Sequence, residues 1–220
     1  VCDNGEPFDP VGFQTGLHHA PGESSAIRHF LMEGPFRMDP ARSAPPPGPL
    51  FAPGPAMAGQ NPDVFFGRMA RAGFNLWRFS PANACSINLF ARPDDEWRPS
   101  LDHVRWEQAI MIDEMFAMAR KYDIRVWYGF FGYMDVGAKR NGRPDLAKLV
   151  KVERLIKYSV DRWGAYTDIW ELLNEQHADK EWYTVIVPYL KSIDPYNKPV
   201  TTSWERPELD GIDINSPHPY

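Results

Sequence analysis

The feature that most constrains this fold is the run Thr167-Asp168-Ile169-Trp170-Glu171-Leu172-Leu173-Asn174-Glu175. An apolar, β-favouring segment that is bounded by turn residues and ends abruptly in Asn-Glu reads as a buried parallel strand. Such a strand delivers polar side chains to the rim of its sheet. Two-residue alternation sets Glu171, Leu173 and Glu175 on one side and Trp170 and Leu172 on the other. In a barrel of parallel strands, active sites lie at the carboxyl ends, so Glu175 sits at the mouth with Glu171 a layer below. A strand-end Glu beside a hydrogen-bonding Asn suits a general acid. The same Asn-Glu pair could instead open the next helix as an N-cap, and the rest of the chain has to decide.

Around this run, strand-like and helix-like patterns alternate, which points to a parallel α/β fold. Val11–Gly16 and Phe74–Ser80 read as the first and second strands, with Arg78 a lone charge in the second. Ile124–Phe131 is the third, Thr167–Asn174 the fourth, Val200–Ser203 the fifth and Gly211–Ser216 the sixth. Between them, Asn61 and Pro62 start a helix that stops at Gly73. Asp102 caps a helix to about Tyr122, with Ala109, Ile112, Met115, Phe116 and Ala119 on one face. Leu149, Val152, Ile156 and Val160 mark a third helix, and a weaker one covers about 181–193. Asp194-Pro195-Tyr196-Asn197 turns the chain into the fifth strand. The connection from fifth to sixth strand is too short for a full helix.

Residues 21–62 are rich in Pro, Gly and Ala, including Pro45-Pro46-Pro47-Gly48-Pro49. That composition forbids a regular helix or a central strand. A long loop over the catalytic face explains it better than a flexible linker, which would leave the first strand an orphan. The whole of residues 1–220 then forms one barrel domain.

Composition excludes several classes. A formal net charge of -5 with a pI near 5.7 argues against a nucleic-acid partner, and no apolar run approaches the ~20 residues of a membrane span. Leu17-His18-His19 resembles half a metal site, but neighbours on a strand face opposite ways and no H-E-x-x-H accompanies the pair. With no G-x-G-x-x-G and no Walker loop either, no cofactor and no metal are expected. Aromatic residues reach 14%, with eight Trp. Most should be core, while Trp97 and Trp204, in polar loops, are candidates for stacking on sugar faces. His29, His103 and His177 read as surface or capping residues.

Taken in order, these strand ends resemble the clan A glycoside hydrolases, most closely the family five cellulase and mannanase group. The resemblance rests on Gly73-Phe74-Asn75-Leu76-Trp77-Arg78, on Trp170-Glu171-Leu172-Leu173-Asn174-Glu175, on Asp194-Pro195 before the fifth strand, and on His218-Pro219-Tyr220 after the sixth. It covers most of residues 60–220. It implies a (β/α)8 TIM barrel, of which this chain carries strands one to six, and retaining hydrolysis of β-linked glucan- or mannan-type sugars. Position by position, Glu175 matches the acid/base and Asn174 the residue that holds the sugar 2-hydroxyl. Arg78 and Tyr220 would steady the nucleophile, and His218 would line the −1 subsite.

A retaining site needs a second carboxylate about 5–5.5 Å from the acid. Family members carry it on strand seven, and the chain stops at the end of strand six. Glu205 is the nearest substitute, supplied by the wrong strand. Phe130, Phe131 and Tyr133 stand where the family has a His after strand three. Because a barrel lacking two strands leaves two sheet edges, the polypeptide is expected to be continued or complemented beyond Tyr220. A non-catalytic carbohydrate-binding barrel is the alternative, and core ion pairs in an unrelated α/β protein a third. Glu171 reads as a structural carboxylate of the barrel interior. Secreted or periplasmic placement is expected from polymeric substrates lying outside cells and from pairing of Cys2 with Cys85, if it forms.

Overall fold

The structure is a computed structural model that describes residues 2–3, 6–7, 10, 12–14, 62–81, 89–90, 100–132, 134–138, 143–204 and 206–217. The Pro-rich segment, His18, His19, His29, Cys85, Trp97, Tyr133, Glu205, His218 and Tyr220 lie outside these residues. So does the side chain of Cys2, and with it any pairing to Cys85.

Two short strands, β1 (Cys2–Asp3) and β2 (Glu6–Pro7), pair antiparallel. They precede the main unit, whose order is β3 (Gly12–Gln14), α1 (Pro62–Arg71), β4 (Leu76–Phe79), α2 (Trp106–Lys121), β5 (Arg125–Gly132), α3 (Leu146–Trp163), β6 (Ile169–Asn174), α4 (Lys180–Ile193), β7 (Val200–Ser203) and β8 (Ile214–Ser216). Strands β3 to β8 form one six-stranded sheet in sequence order, every pairing parallel. This is the strand arrangement of a partial (β/α) barrel. All six expected strands are present. Among the described residues no helix joins β7 to β8, and turns lie in the connection.

Alternation sorts the strand side chains between two layers. Trp77 and Phe79 meet Phe116 of α2 at ring-centroid distances of 5.9 and 5.6 Å. Tyr128 packs on Phe116 and Trp163 and bonds Ser159 of α3 at 3.0 Å. Trp170 stacks on Phe130. These are the residues facing the helices, and their burial supplies most of the driving force for docking the two layers. Burial pushes the Tyr128 phenol far above the ordinary tyrosine range, so it stays a neutral hydrogen-bonding group.

Helix termini follow local chemistry. Asp145 caps α3, accepting from the N–H groups of Ala147 and Lys148 at 3.1 and 3.4 Å, and thereby satisfies donors that the helix cannot. Asp102 does not cap α2, as its sequence position suggests. The helix starts four residues later with Arg105 at the N-cap, and Asp102 instead pairs with Lys151 of α3. Asn174 and Glu175 do not cap a helix either: α4 begins at Lys180, with Asp179 at its N-cap. Asp194 closes the expected turn by accepting from Tyr196 and Lys198 N–H groups and from Trp170 Nε1.

Candidate active site

The face turned away from the helices is lined along β4, β5, β6 and β7 by alternate residues, and two charged ones, Arg78 and Glu171, meet there. Glu171 is 1% exposed. In an apolar strand such a carboxylate must be paired or neutralised. Arg78 of β4 supplies the pair through two parallel contacts, Nε to Oε2 at 2.7 Å and Nη2 to Oε1 at 2.5 Å. Trp127 Nε1 of β5 donates to Oε2 at 2.9 Å, and Ser203 Oγ of β7 donates to Oε1 at 2.8 Å. Four donors from three strands therefore converge on one buried carboxylate. Its lone pairs are committed and its surface is covered, so Glu171 is a structural anchor and not an attacking group.

Gly129 makes this convergence possible. It lies opposite Glu171 in the β5–β6 register, and a Cβ there would stand 3.3 Å from Glu171 Oε2 and 3.3 Å from Ser80 Cβ. The glycine leaves the carboxylate room to meet the arginine.

Arg78 reaches one layer higher as well: its Nη2 also donates to Asn174 Oδ1, the last residue of β6. Asn174 is 4% exposed. Glu171 and Asn174 are an odd number of residues apart, so strict alternation would set them on opposite sides, yet one guanidinium holds both. Alternation fails here because the strand ends. Glu175 has φ 47°, outside the β region, so the expectation that it continues the Glu171–Leu173 side by strand geometry does not hold. Its position is fixed by the turn instead, where it is half-buried.

Among the described residues, four non-glycine positions occupy the left-handed region: Asp123, Glu175, Asn197 and Trp204. Asp and Asn tolerate it in turns. Glu175 and Trp204 do not share that tolerance, and each comes one residue after a strand, β6 and β7. Such backbone costs about 1–3 kcal/mol per residue and persists only where its surroundings over-determine it. Three contacts do so here. Gln176 Nε2 donates to the Met134 carbonyl at 2.6 Å. His177 and Trp204 stack with ring planes 8° apart and centroids 5.3 Å apart. Arg206 Nη1 donates to the Ala178 carbonyl at 3.0 Å and lies over the Tyr183 ring. The loops after β5, β6 and β7 are thus tied to one another around Glu175.

Of the residues singled out from sequence, the structure brings Arg78 and Asn174 into direct contact and sets Glu175 next in the chain, with Trp204 on the adjoining loop. Trp97, His218 and Tyr220 lie outside the described residues. Sequence reasoning did not gather Trp127, Ser203, Gly129 or His177 into the site. One signal was available: Arg78 and Glu171 are the lone charges of two apolar strands, and each needs a partner of opposite sign. His177, read as a surface or capping residue, is exposed but is also the stacking partner of Trp204. Phe130 and Phe131 are both fully buried, so they belong to the core and not to the rim. Among the described residues, no group of three or more His, Cys, Asp or Glu side chains could hold a metal ion, and no helix is long and apolar enough to cross a membrane.

No protein-family model and no curated protein matches this sequence. Solved structures do. A glycoside hydrolase family 5 mannosidase from Rhizomucor miehei superposes with a TM-score of 0.54 at 11% identity, over 72% of this chain and 51% of its own. An exo-β-1,4-mannosidase from an Opitutaceae bacterium gives 0.49 at 13% identity, over 64% of this chain and 27% of its own. Endoglucanase Cel5A from Thermotoga maritima gives 0.47 at 19%, over 81% and 53%. At such identities the likeness is one of fold, and the chain spans about half the length of the first and third of these proteins and about a quarter of the second.

Proposed function

We propose that this protein hydrolyses β-glycosidic bonds of a β-linked oligo- or polysaccharide, of glucan or mannan type, with retention of configuration. Glu175 is the acid/base: it protonates the departing glycosidic oxygen and later takes a proton from water. Asn174 holds the sugar 2-hydroxyl, an interaction that strengthens in the transition state. Trp204, backed by His177, offers a flat apolar face for a sugar ring. Trp97, His218 and Tyr220 complete the cleft, and the protein acts outside the cytoplasm, where such polymers lie. The observation that carries this reading is the strand-end pair itself, an Asn gripped by a half-buried Arg and followed by a Glu in strained backbone, on a sheet that superposes on a family 5 mannosidase.

Retention also needs a second carboxylate about 5–5.5 Å from the acid, a role that Glu171, with both oxygens committed to four donors, does not fill. Arg78 has its Nε and Nη2 committed to Glu171 and Asn174, so in this reading its main task is to order the acid/base side of the cleft.

Turnover of an aryl β-glucoside or β-mannoside, compared between the wild type and Glu175→Gln, is the test. General-acid assistance contributes about 10²–10⁴-fold, so a loss of that size is expected on a substrate with a poor leaving group. Unchanged turnover in Glu175→Gln refutes the assignment. Binding of β-linked oligosaccharides by the wild type without any turnover refutes hydrolysis in favour of a carbohydrate-binding barrel.

A further inference from the structure

Glu171 touches no part of the proposed cleft, yet it holds the residue that does the gripping there. A guanidinium has only donors, so the oxygen of the Asn174 amide must face Arg78 and its Nδ2 H2 must face away. Among the described residues nothing accepts from that Nδ2. The amide thereby presents a donor, and the ligand atom it meets must be an acceptor such as a sugar hydroxyl oxygen. What fixes Arg78 in turn is Glu171, which takes both Nε and Nη2 and is itself held by Trp127 and Ser203.

We propose that Glu171 is a positioning residue: by clamping Arg78 it fixes where the guanidinium meets Asn174, and so fixes the place and direction of the donor that the amide offers to the sugar. The relay runs from the barrel interior to the rim through one guanidinium nitrogen, Nη2, which contacts both Glu171 and Asn174. In Glu171→Gln the carboxylate becomes an amide of the same shape. Its carbonyl still serves Arg78 Nε and Trp127 Nε1, and its NH2 can donate to Ser203 Oγ, but the acceptor for Nη2 is gone. Nη2 then faces an amide NH2 in place of an acceptor, so the guanidinium is pushed from its seat and the Asn174 amide that it grips moves with it.

Two readouts test this in the intact protein. The first is the Asn174 side-chain NH2 resonance in the ¹⁵N spectrum, assigned by its loss in Asn174→Ala. It should shift or broaden in Glu171→Gln, and to a smaller extent in Ser203→Ala, which removes one donor from Glu171 and leaves the carboxylate. The second rests on the hydrolysis proposed above. Glu171→Gln should lower kcat about tenfold with KM little changed, the pattern of an interaction made in the transition state. In an Asn174→Ala background the same substitution should cost less than about twofold, because residues acting through one another are not additive. An unmoved Asn174 resonance in folded Glu171→Gln overturns the relay, and so do additive losses of kcat. Should Glu171→Gln fail to fold, an unmoved resonance in Ser203→Ala overturns it. A wild type that turns over no β-glycoside refutes the functional reading alone, and the resonance still decides the relay.

Discussion

Replacing Glu171 with Leu removes one half of an ion pair at the buried face of the sheet and strips the other half of that carboxylate. Arg78 is 15% exposed along its side chain and Glu171 1%, so water cannot take over the lost contacts. Four hydrogen bonds end on the carboxylate, two from Arg78 and one each from Trp127 and Ser203. Removing one partner of a buried pair costs about 3–5 kcal/mol, mostly because the remaining charge stays buried without compensation. Partial relief from Asn174 Oδ1 places the expectation near 3 kcal/mol. For a chain of 220 residues each kcal/mol corresponds to roughly 2–4 °C of melting temperature, giving a fall of about 6–12 °C. The control is the double replacement Glu171→Leu with Arg78→Met, which buries no charge. It should be more stable than either single variant, since apolar replacement of a whole buried pair is often near neutral. Urea unfolding monitored by tryptophan fluorescence gives all four corners of the cycle. A cost below about 1 kcal/mol for Glu171→Leu, or additive costs in the double variant, would refute the claim that the pair is desolvated and mutually dependent.

Other consequences can be checked in parallel. Gly129→Ala sets a methyl 3.3 Å from Glu171 Oε2 and Ser80 Cβ, so urea unfolding should show a loss of about 1–3 kcal/mol, typical of overpacking. Trp204→Ala removes the partner of His177 and a candidate sugar platform; calorimetric titration with a β-linked tetrasaccharide should show affinity falling about tenfold, as for loss of an aromatic contact worth about 1 kcal/mol or more. The Lys148 ammonium, followed by the Gly137 N–H, holds the Asp135 carboxyl below its ordinary 3.8. A lowered carboxyl value means that the paired form stabilises the fold above pH 3.8 and loses that effect as the pH falls below it. Asp135→Asn should therefore melt below the wild type at pH 6, and the gap should narrow under pH 3.8.

Much of the fold can be read directly from residue order because its cues are local. Six β-favouring runs, all but the last two separated by helical segments, leave a parallel α/β sheet as the economical solution, and all six strands pair in chain order. Failures came where a local cue had a competitor elsewhere in the chain. Asp102 has the chemistry of an N-cap, but Lys151 of a neighbouring helix takes it. Asn174-Glu175, by contrast, was open to two readings, and the structure has the strand end there, with left-handed backbone after it and the helix waiting until Lys180.

The candidate site divides in the same way. The amino-acid order determined that an Asn-Glu pair would close the fourth strand, and that Arg78 would be a lone charge in an apolar strand, because hydrophobic period and turn residues act over a few positions. Only the tertiary structure decided that those two charges belong to each other, 93 residues apart, with Trp127, Ser203 and the gap at Gly129 completing the cage. The physical reason is that strand order and register, set by the packing of the whole sheet against its helices, choose which side chains meet. A buried charge then binds whatever opposite charge that register brings within reach.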